Sequence, residues 1–285
     1  MKKKFLVCID SDGCAMDVME IKHKECFCPA YINCFGLQPV STYARETWEF
    51  ANLYSRWRGV NRFLVLLKAL ELLSERKEVQ ERNFEIPMLK EFRKYVDSGG
   101  ALNISGIKGY LNANPDSEEI KKVLEWSDDV NKRVGEMVHG VSPFPYVHES
   151  LKQVRESADI IIVSAAQQAI IEHEWSESNL MPFVTSVRGQ EHGAKKEIIA
   201  SLCDQYEPQH ILMVGDALGD LDAAHSNNVL FYPICPQQEA WSWKYFSEVA
   251  EAFLSGNYSG QMEQEKIEYF ESLLPKEPSW ERIVK

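Results

Sequence analysis

The sequence predicts an α/β fold, a Rossmann-like parallel sheet core interrupted by an inserted α-helical domain. Three observations predict it. Four short apolar runs, Phe5–Ile9, Ile160–Val163, Ile211–Val214 and Val229–Tyr232, do not alternate with polar residues, as expected of strands buried on both faces. Helix-like segments, Val147–Ser157, Ala194–Cys203 and Leu218–Ser226, separate the later runs, and strand–helix alternation builds an open parallel sheet. Between the first two runs, residues from about 16 to 146 show helical spacing and no strand pattern.

In chain order, Phe5–Ile9 stops at Asp10-Ser11-Asp12-Gly13, a polar turn at the end of a strand. Apolar residues then recur at helical spacing through Thr42–Arg56, Asn61–Arg76, Met88–Val96 and Glu118–Val138. The stretch Asp97–Ser117 carries Gly99, Gly100, Gly106 and Gly109 and reads as a loop. In HGVSPFPY, Pro143 and Pro145 stiffen the return to the sheet. The expected domains are therefore 1–15 with 143–285, the sheet core and a C-terminal helical extension, and 16–142, the helical insert. After Tyr232 come about fifty residues rich in aromatics, among them Trp241, Trp243, Tyr245, Phe246 and Trp280. They suit helices packed on the sheet, or a partner interface.

Composition narrows the function. A net charge of −12 argues against general binding of nucleic acid or anionic membranes, yet one local cationic pocket can still take a phosphorylated small molecule. The N-terminal lysines precede an apolar run of five residues, too short for a signal peptide, and Phe63–Leu73 is too short and too charged to span a bilayer. The expected location is cytoplasmic. Seven cysteines at irregular spacing suggest reduced thiols. His23, Cys26, Cys28 and Cys34 lie close in sequence, but their spacing matches no common zinc site.

In open α/β sheets the ligand crevice lies beyond the carboxyl ends of the strands. Four features fall at such ends or after them: Asp10 and Asp12 in DSDG, Ser164 in SAAQ, Lys195 in HGAKKEII, and Asp216 with Asp220 in GDALGD. Each alone has an ordinary explanation as a turn, a helix cap or a solvated lysine. Together they suit phosphoryl transfer. A carboxylate such as Asp10 can attack phosphorus and split hydrolysis into two easier steps. Asp12, two residues on, can protonate the leaving oxygen and later deprotonate water. Four acidic groups in one crevice call for a cation, and oxygen ligands select a hard one, Mg²⁺. Ser164 and Lys195 suit the equatorial phosphoryl oxygens.

With these residues in place, the chain resembles the haloacid dehalogenase-like (HAD) hydrolase superfamily. DSDG is similar to its first motif, IIIVSA to its second, AKKEII to its third and MVGDALGD to its fourth. PFPYVHESLKQV resembles its re-entry from a helical cap. The resemblance covers residues 1 to about 15 and about 143 to 235, is weak over the cap and absent from the C-terminal fifty residues.

It implies Asp10 as nucleophile and metal ligand, and Asp12 as acid/base with its carbonyl on the metal. It further implies Ser164 and Lys195 as phosphoryl binders, Asp216 as metal ligand, and Asp220 in support of the metal site. Lys196 takes the lysine's place if the loop register shifts by one; Lys195 is favoured because the family lysine usually precedes the helix's first apolar pair by three. Cys14 departs from the Thr or Val common after DG, and raises the idea of a redox-sensitive thiol beside the nucleophile. Asp at position 12 points to phosphate-ester chemistry, since dehalogenases and phosphonoacetaldehyde hydrolases of this superfamily lack it.

A helical cap at this insertion point implies a small phosphorylated substrate. In SRWRGVNR, Arg56, Arg58 and Arg62 suit a second phosphate or a carboxylate, or simply form a solvated helix end around Trp57. Lys108 is a further candidate. The expectation is a Mg²⁺-dependent phosphatase of a small metabolite, with a sugar phosphomutase or a non-catalytic scaffold of the same fold as alternatives. A receiver domain is excluded, because its acidic pair precedes the acceptor in a much shorter chain. Neither leaving group nor oligomeric state follows from the sequence.

Overall fold

The structure is a computed structural model that describes residues 2–283. Five strands, β1 (Phe5–Ile9), β2 (Ala158–Val163), β3 (Ser186–Arg188), β4 (Ile211–Gly215) and β5 (Leu230–Pro233), form one parallel sheet in the order β3-β2-β1-β4-β5. Four are the apolar runs of the sequence. The fifth, β3, escapes a hydrophobicity reading because Ser-Val-Arg offers one apolar side chain, Val187, which is buried.

β1 lies in the centre, and Leu6, Val7, Cys8 and Ile9 have no exposed surface. That explains their unbroken apolar pattern: a central parallel strand is covered on both faces. Ile9 pairs with Ile162 of β2 and Val214 of β4, so three strands end at one level. The Asp10 amide donates to the Val214 carbonyl at 3.0 Å, carrying that pairing one residue past the strand.

The chain divides into two compact units. One holds the chain up to Met19 and His139–Pro275; the other holds Glu20–Val138 and the chain from Lys276. The crossings thus fall a few residues from positions 15 and 142. The C-terminal extension is also divided, which corrects the expectation of one sheet domain running to residue 285. Helices Glu239–Leu254 and Gln261–Ser272 belong to the sheet unit. There Tyr258 Oη donates to the Phe231 carbonyl (2.8 Å), and Glu263 Oε1 accepts from the Phe231 amide (2.8 Å). The last residues bind the helical unit instead. The Ile283 amide donates to the Glu75 carbonyl (2.8 Å), Arg282 pairs with Glu75 (2.9 Å), and Trp280 stands edge-on to Phe50 with ring centroids 5.3 Å apart.

The helical unit contains helices Ser41–Leu53, Arg62–Glu75, Lys90–Asp97 and Glu118–Met137, close to the four expected. Their starts follow from capping: Asn61 accepts from the Phe63 amide and Ser117 from the Ile120 amide. Trp48 and Trp126, both fully buried, centre the core with rings 5.9 Å apart. Leu66, Leu70 and Leu73 of one helix face are also fully buried, each contributing roughly 1.5–3 kcal/mol by that burial.

The loop expected over Asp97–Ser117 is in part a helix, Ile104–Ala113. Gly99, at φ +80°, ends helix Lys90–Asp97, but Gly100 and Gly106 are not breakers. A side chain on Gly106 would overlap Ala101, and one on Gly100 would overlap the Tyr95 ring, so both are small because neighbours press on them. Asn103 caps the helix by accepting from the Gly106 amide (2.8 Å).

Lys22–Phe27 form a π-helical turn that runs on into helix Cys28–Cys34. His23 stacks on Phe27 with centroids 4.8 Å apart. Burial first, then the charges of Arg58, Lys22 and Arg62, depress its pKa to about 3. An unfolded chain takes up this proton below the ordinary value of 6.5, whereas the folded chain refuses it until about 3. Stability is therefore expected to fall as pH drops through that window. In His23→Leu the loss should be smaller, measured as urea unfolding between pH 7 and 4.

All seven cysteines are free. Cys26 and Cys28 are buried in the helical core, and Cys34 Sγ donates to the Lys122 carbonyl. Among the described residues they form no metal-ligating group with His23. No described helix is long and apolar enough to cross a membrane.

Candidate active site

The site grows from the carboxyl end of β1. The chain turns at Asp10, and the Ser11 carbonyl gathers three amides, from Cys14 (3.3 Å), Ala15 (3.0 Å) and Met16 (2.9 Å). Gly13, at φ +75°, supplies the left-handed step that closes this knot. Ser11 and Cys14 are fully buried, Asp10 nearly so, and Asp12 is half-buried. Two tryptophans reach the same loop. Trp175 Nε1 donates to Ser11 Oγ (3.0 Å), and Trp243 Nε1 donates to the Cys14 carbonyl (2.7 Å).

One strand over, β4 ends at Gly215 and delivers Asp216, 2% exposed. Helix Leu218–His225 follows, and Asp220 caps it through Oδ2, which accepts from the Ala217 amide at 3.1 Å. On the other side of β1, Ser164 follows β2. Its amide donates to the Arg188 carbonyl of β3 (3.0 Å), and its Oγ accepts from the Ala166 amide (3.2 Å).

Lys195 opens helix Lys195–Cys203 and joins the cluster. Its Nζ lies 2.7 Å from Asp10 Oδ2 and 2.6 Å from Asp220 Oδ1. Lys196, the alternative to the favoured Lys195, is exposed. Burial alone would depress the Lys195 ammonium, but the charges of Asp10 and Asp220 outweigh it and hold the group protonated, above its ordinary value. At Asp10 the balance runs the other way. Burial raises its pKa most, Lys195 opposes, and the carboxylates of Asp220 and Asp216 push it up again.

Carboxylate oxygens of Asp10, Asp216 and Asp220 lie within 4.8 Å of one another. Three buried carboxylates thus gather around one lysine. A set of hard oxygen donors fits a divalent cation such as Mg²⁺. Cys14 has the opposite character to a reactive thiol. It is fully buried, and burial followed by the Asp216, Asp10 and Asp220 charges raises its pKa well above the usual range, so the redox idea falls away.

Gly215 is a residue the motif reading passed over. A Cβ there would overlap the Cβ and Cγ of Asp220, so the strand end must be bare for that carboxylate to reach Lys195. The signal was a glycine closing an apolar strand just before an acidic residue. Gly215→Ala is expected to lower kcat about tenfold or more by displacing the carboxylate that positions the lysine. Steady-state kinetics on the folded variant checks this.

Of the residues expected to contact a leaving group, Arg58 is buried in the turn after Leu53, and its Nη1 donates to the Leu53 carbonyl (3.1 Å). Arg56 lies in the same turn, the helix expected to reach it having ended at Leu53. Arg62 donates to Asn131 Oδ1 (2.8 Å) and lies over the Phe27 ring, 5.1 Å from its centroid. Lys108 is exposed on helix Ile104–Ala113.

Residues 73–233, more than half of the chain, match the family model of the haloacid dehalogenase-like hydrolases. The chain belongs to that family. The matched span contains Ser164, Lys195, Asp216 and Asp220, while the Asp10 loop precedes it and the sheet register joins the two. Solved haloacid dehalogenase-like structures are similar at low identity. A haloacid dehalogenase-like family hydrolase from Streptococcus pneumoniae is 14% identical over 84% of this chain and 90% of its own, with a TM-score of 0.42. A HAD-superfamily hydrolase from Ehrlichia chaffeensis is 12% identical over 87% and 98%, with a TM-score of 0.41. CbbY from Rhodobacter sphaeroides is 8% identical over 81% and 86%, with a TM-score of 0.42. No curated protein sequence matches the chain. The α/β architecture, a five-stranded parallel sheet with helices, is that of the haloacid dehalogenase-like fold.

Proposed function

We propose that this haloacid dehalogenase-like hydrolase is a Mg²⁺-dependent phosphatase of a small phosphorylated metabolite, working through an aspartyl-phosphate. The observation that carries the reading is the Lys195 ammonium held between Asp10 and Asp220, with Asp216 beside them, at the carboxyl ends of adjacent strands. Asp10 is the nucleophile. Its carboxylate oxygen bonds to phosphorus as the P–O bond to the leaving group breaks, and Asp12 gives that oxygen a proton. Water then attacks the phosphoryl group, Asp12 takes its proton, and Asp10 departs as carboxylate. Lys195 and Ser164 bind the phosphoryl oxygens on which charge accumulates. Asp10, Asp216 and the Asp12 carbonyl would hold Mg²⁺, which supplies charge neutralisation when bound. Asp220 keeps Lys195 charged and aimed.

For the leaving group, Arg62 is the informative residue. It is a half-buried guanidinium whose polar partner is a neutral amide, and burial lowers its pKa with no carboxylate to offset the effect. A half-buried cation paired to a neutral group supports recognition of an anion, so we assign a second anionic group of the substrate to Arg62, with Arg56 and Arg58 beside it in sequence. Turnover of a panel of phosphorylated metabolites, with Mg²⁺ and with EDTA, tests the reading. Phosphate release confined to the Mg²⁺ arm is expected, fastest on substrates with a second phosphate or a carboxylate. Isomerisation of a sugar phosphate without release would establish the phosphomutase instead, and no turnover of any member would leave a non-catalytic fold.

A further inference from the structure

We propose that Trp175 and Trp243 are positioning residues whose indole N–H groups hold the nucleophile loop in the bend that presents Asp10. The inference rests on the reading of Asp10 as nucleophile. The loop's backbone knot closes on the Ser11 carbonyl, and two further groups point out of it, Ser11 Oγ and the Cys14 carbonyl. Each meets an indole N–H, from helix Gln168–Glu177 and helix Glu239–Leu254, at 3.0 and 2.7 Å. Both tryptophans have no exposed surface, so water does not compete for these bonds.

Packing alone does not explain them. In the helical unit the buried indole nitrogens of Trp48, Trp126 and Trp280 have no hydrogen-bond partner. Those three tryptophans fill space with the indole nitrogen unbonded, whereas the two buried tryptophans of the sheet unit both direct their N–H to residues 11–14. The second donor is itself fixed. Tyr232 Oη donates to the Ser242 carbonyl (2.7 Å), the Cys235 amide donates to Ser242 Oγ (3.0 Å), and Ser150 Oγ donates to the Trp243 carbonyl (3.3 Å). Trp243 lies in the aromatic C-terminal segment, beyond the matched residues 73–233.

The need for such a clamp follows from the charges. Asp10 shares a buried space with Asp216 and Asp220 and bonds Lys195, so a small shift of its loop changes its distance to every charge in the cluster. In-line attack tolerates displacements of only about 0.5 Å. Two neutral donors, bonded to Ser11 Oγ and the Cys14 carbonyl, fix the loop's position without adding charge to the site.

The test is the turnover of p-nitrophenyl phosphate with Mg²⁺ by Trp243→Phe, Trp175→Phe and Ser11→Ala, each checked for native circular dichroism. Each should lower kcat about tenfold with KM within about twofold, the signature of a misplaced nucleophile rather than lost binding. Adding Trp175→Phe to Ser11→Ala should cost no more than either alone, because both remove one bond. Folded variants with unchanged kcat overturn the proposal, as does full additivity of the Ser11 and Trp175 changes. Should Trp243→Phe fail to fold, Ser11→Ala and Trp175→Phe still decide the matter, since Ser11→Ala removes only one oxygen. Asp10→Asn separates the two levels. If it retains turnover, the nucleophile reading falls and the clamp with it. If it is inactive while the clamp variants keep full kcat, the clamp alone is wrong.

Discussion

Asp10→Asn is expected to be inactive and, in the absence of metal, more stable than the parent chain. Asparagine preserves the shape of the side chain but not the oxygen nucleophile, so kcat should fall by about 10⁴-fold or more. The stability change follows from the charges. Burial and the carboxylates of Asp220 and Asp216 raise the Asp10 pKa despite Lys195, so the fold favours a neutral group at this position. A raised carboxyl pKa means that the ionised form opposes folding, increasingly as pH rises from the unfolded value of 3.8 through the folded one. Replacing it by an amide should add about 0.5–2 kcal/mol, typical of relieving a functional strain. Urea unfolding in EDTA at pH 7 measures this. A less stable variant would show that the lysine bridge outweighs the repulsion.

Lys195→Met is expected to do the reverse to stability while also removing turnover. The methionine keeps the length of the stem, but Asp10 and Asp220 lose their cation while buried at 6% and 0% exposure. Removing one partner of a buried ion pair costs about 3–5 kcal/mol, because the charge left behind cannot return to water. The same salt bridge thus gives opposite results depending on which end is cut. Parallel urea unfolding of the two variants is decisive. Equal effects from both would mean that the cluster is hydrated rather than buried.

The sheet and its ends were legible because a central parallel strand must be apolar throughout, and the chain marks its exit with a polar residue. Asp10, Ser164 and Asp216 could therefore be aligned before any geometry was known. β3 was hidden because three residues with one buried valine leave no periodic signal. The glycine-rich stretch misled because Gly100 and Gly106 answer to the Tyr95 ring and Ala101, contacts that propensity does not encode. Lys195 was favoured over Lys196 by its spacing from Ile198-Ile199, and its contacts with Asp10 and Asp220 could be seen only in three dimensions. The indole bonds to Ser11 and the Cys14 carbonyl span 164 and 229 residues of sequence. Aromatic content pointed to packing, and only three-dimensional proximity reveals a donor.

The attachment of the last residues to Glu75 and Phe50 has a consequence for how this chain can be cut. Cleavage at Gly140 would yield one fragment carrying β1 with helices Ser41–Leu53 and Arg62–Glu75, and a second carrying β2 to β5 with the C-terminal residues. Each piece lacks something only the other provides. The second sheet misses its central strand, and the first fragment's helices lose the cover of Trp280 and the Arg282–Glu75 pair. The two halves are interlocked at both ends, and co-expressed separately they should reassemble as a split enzyme.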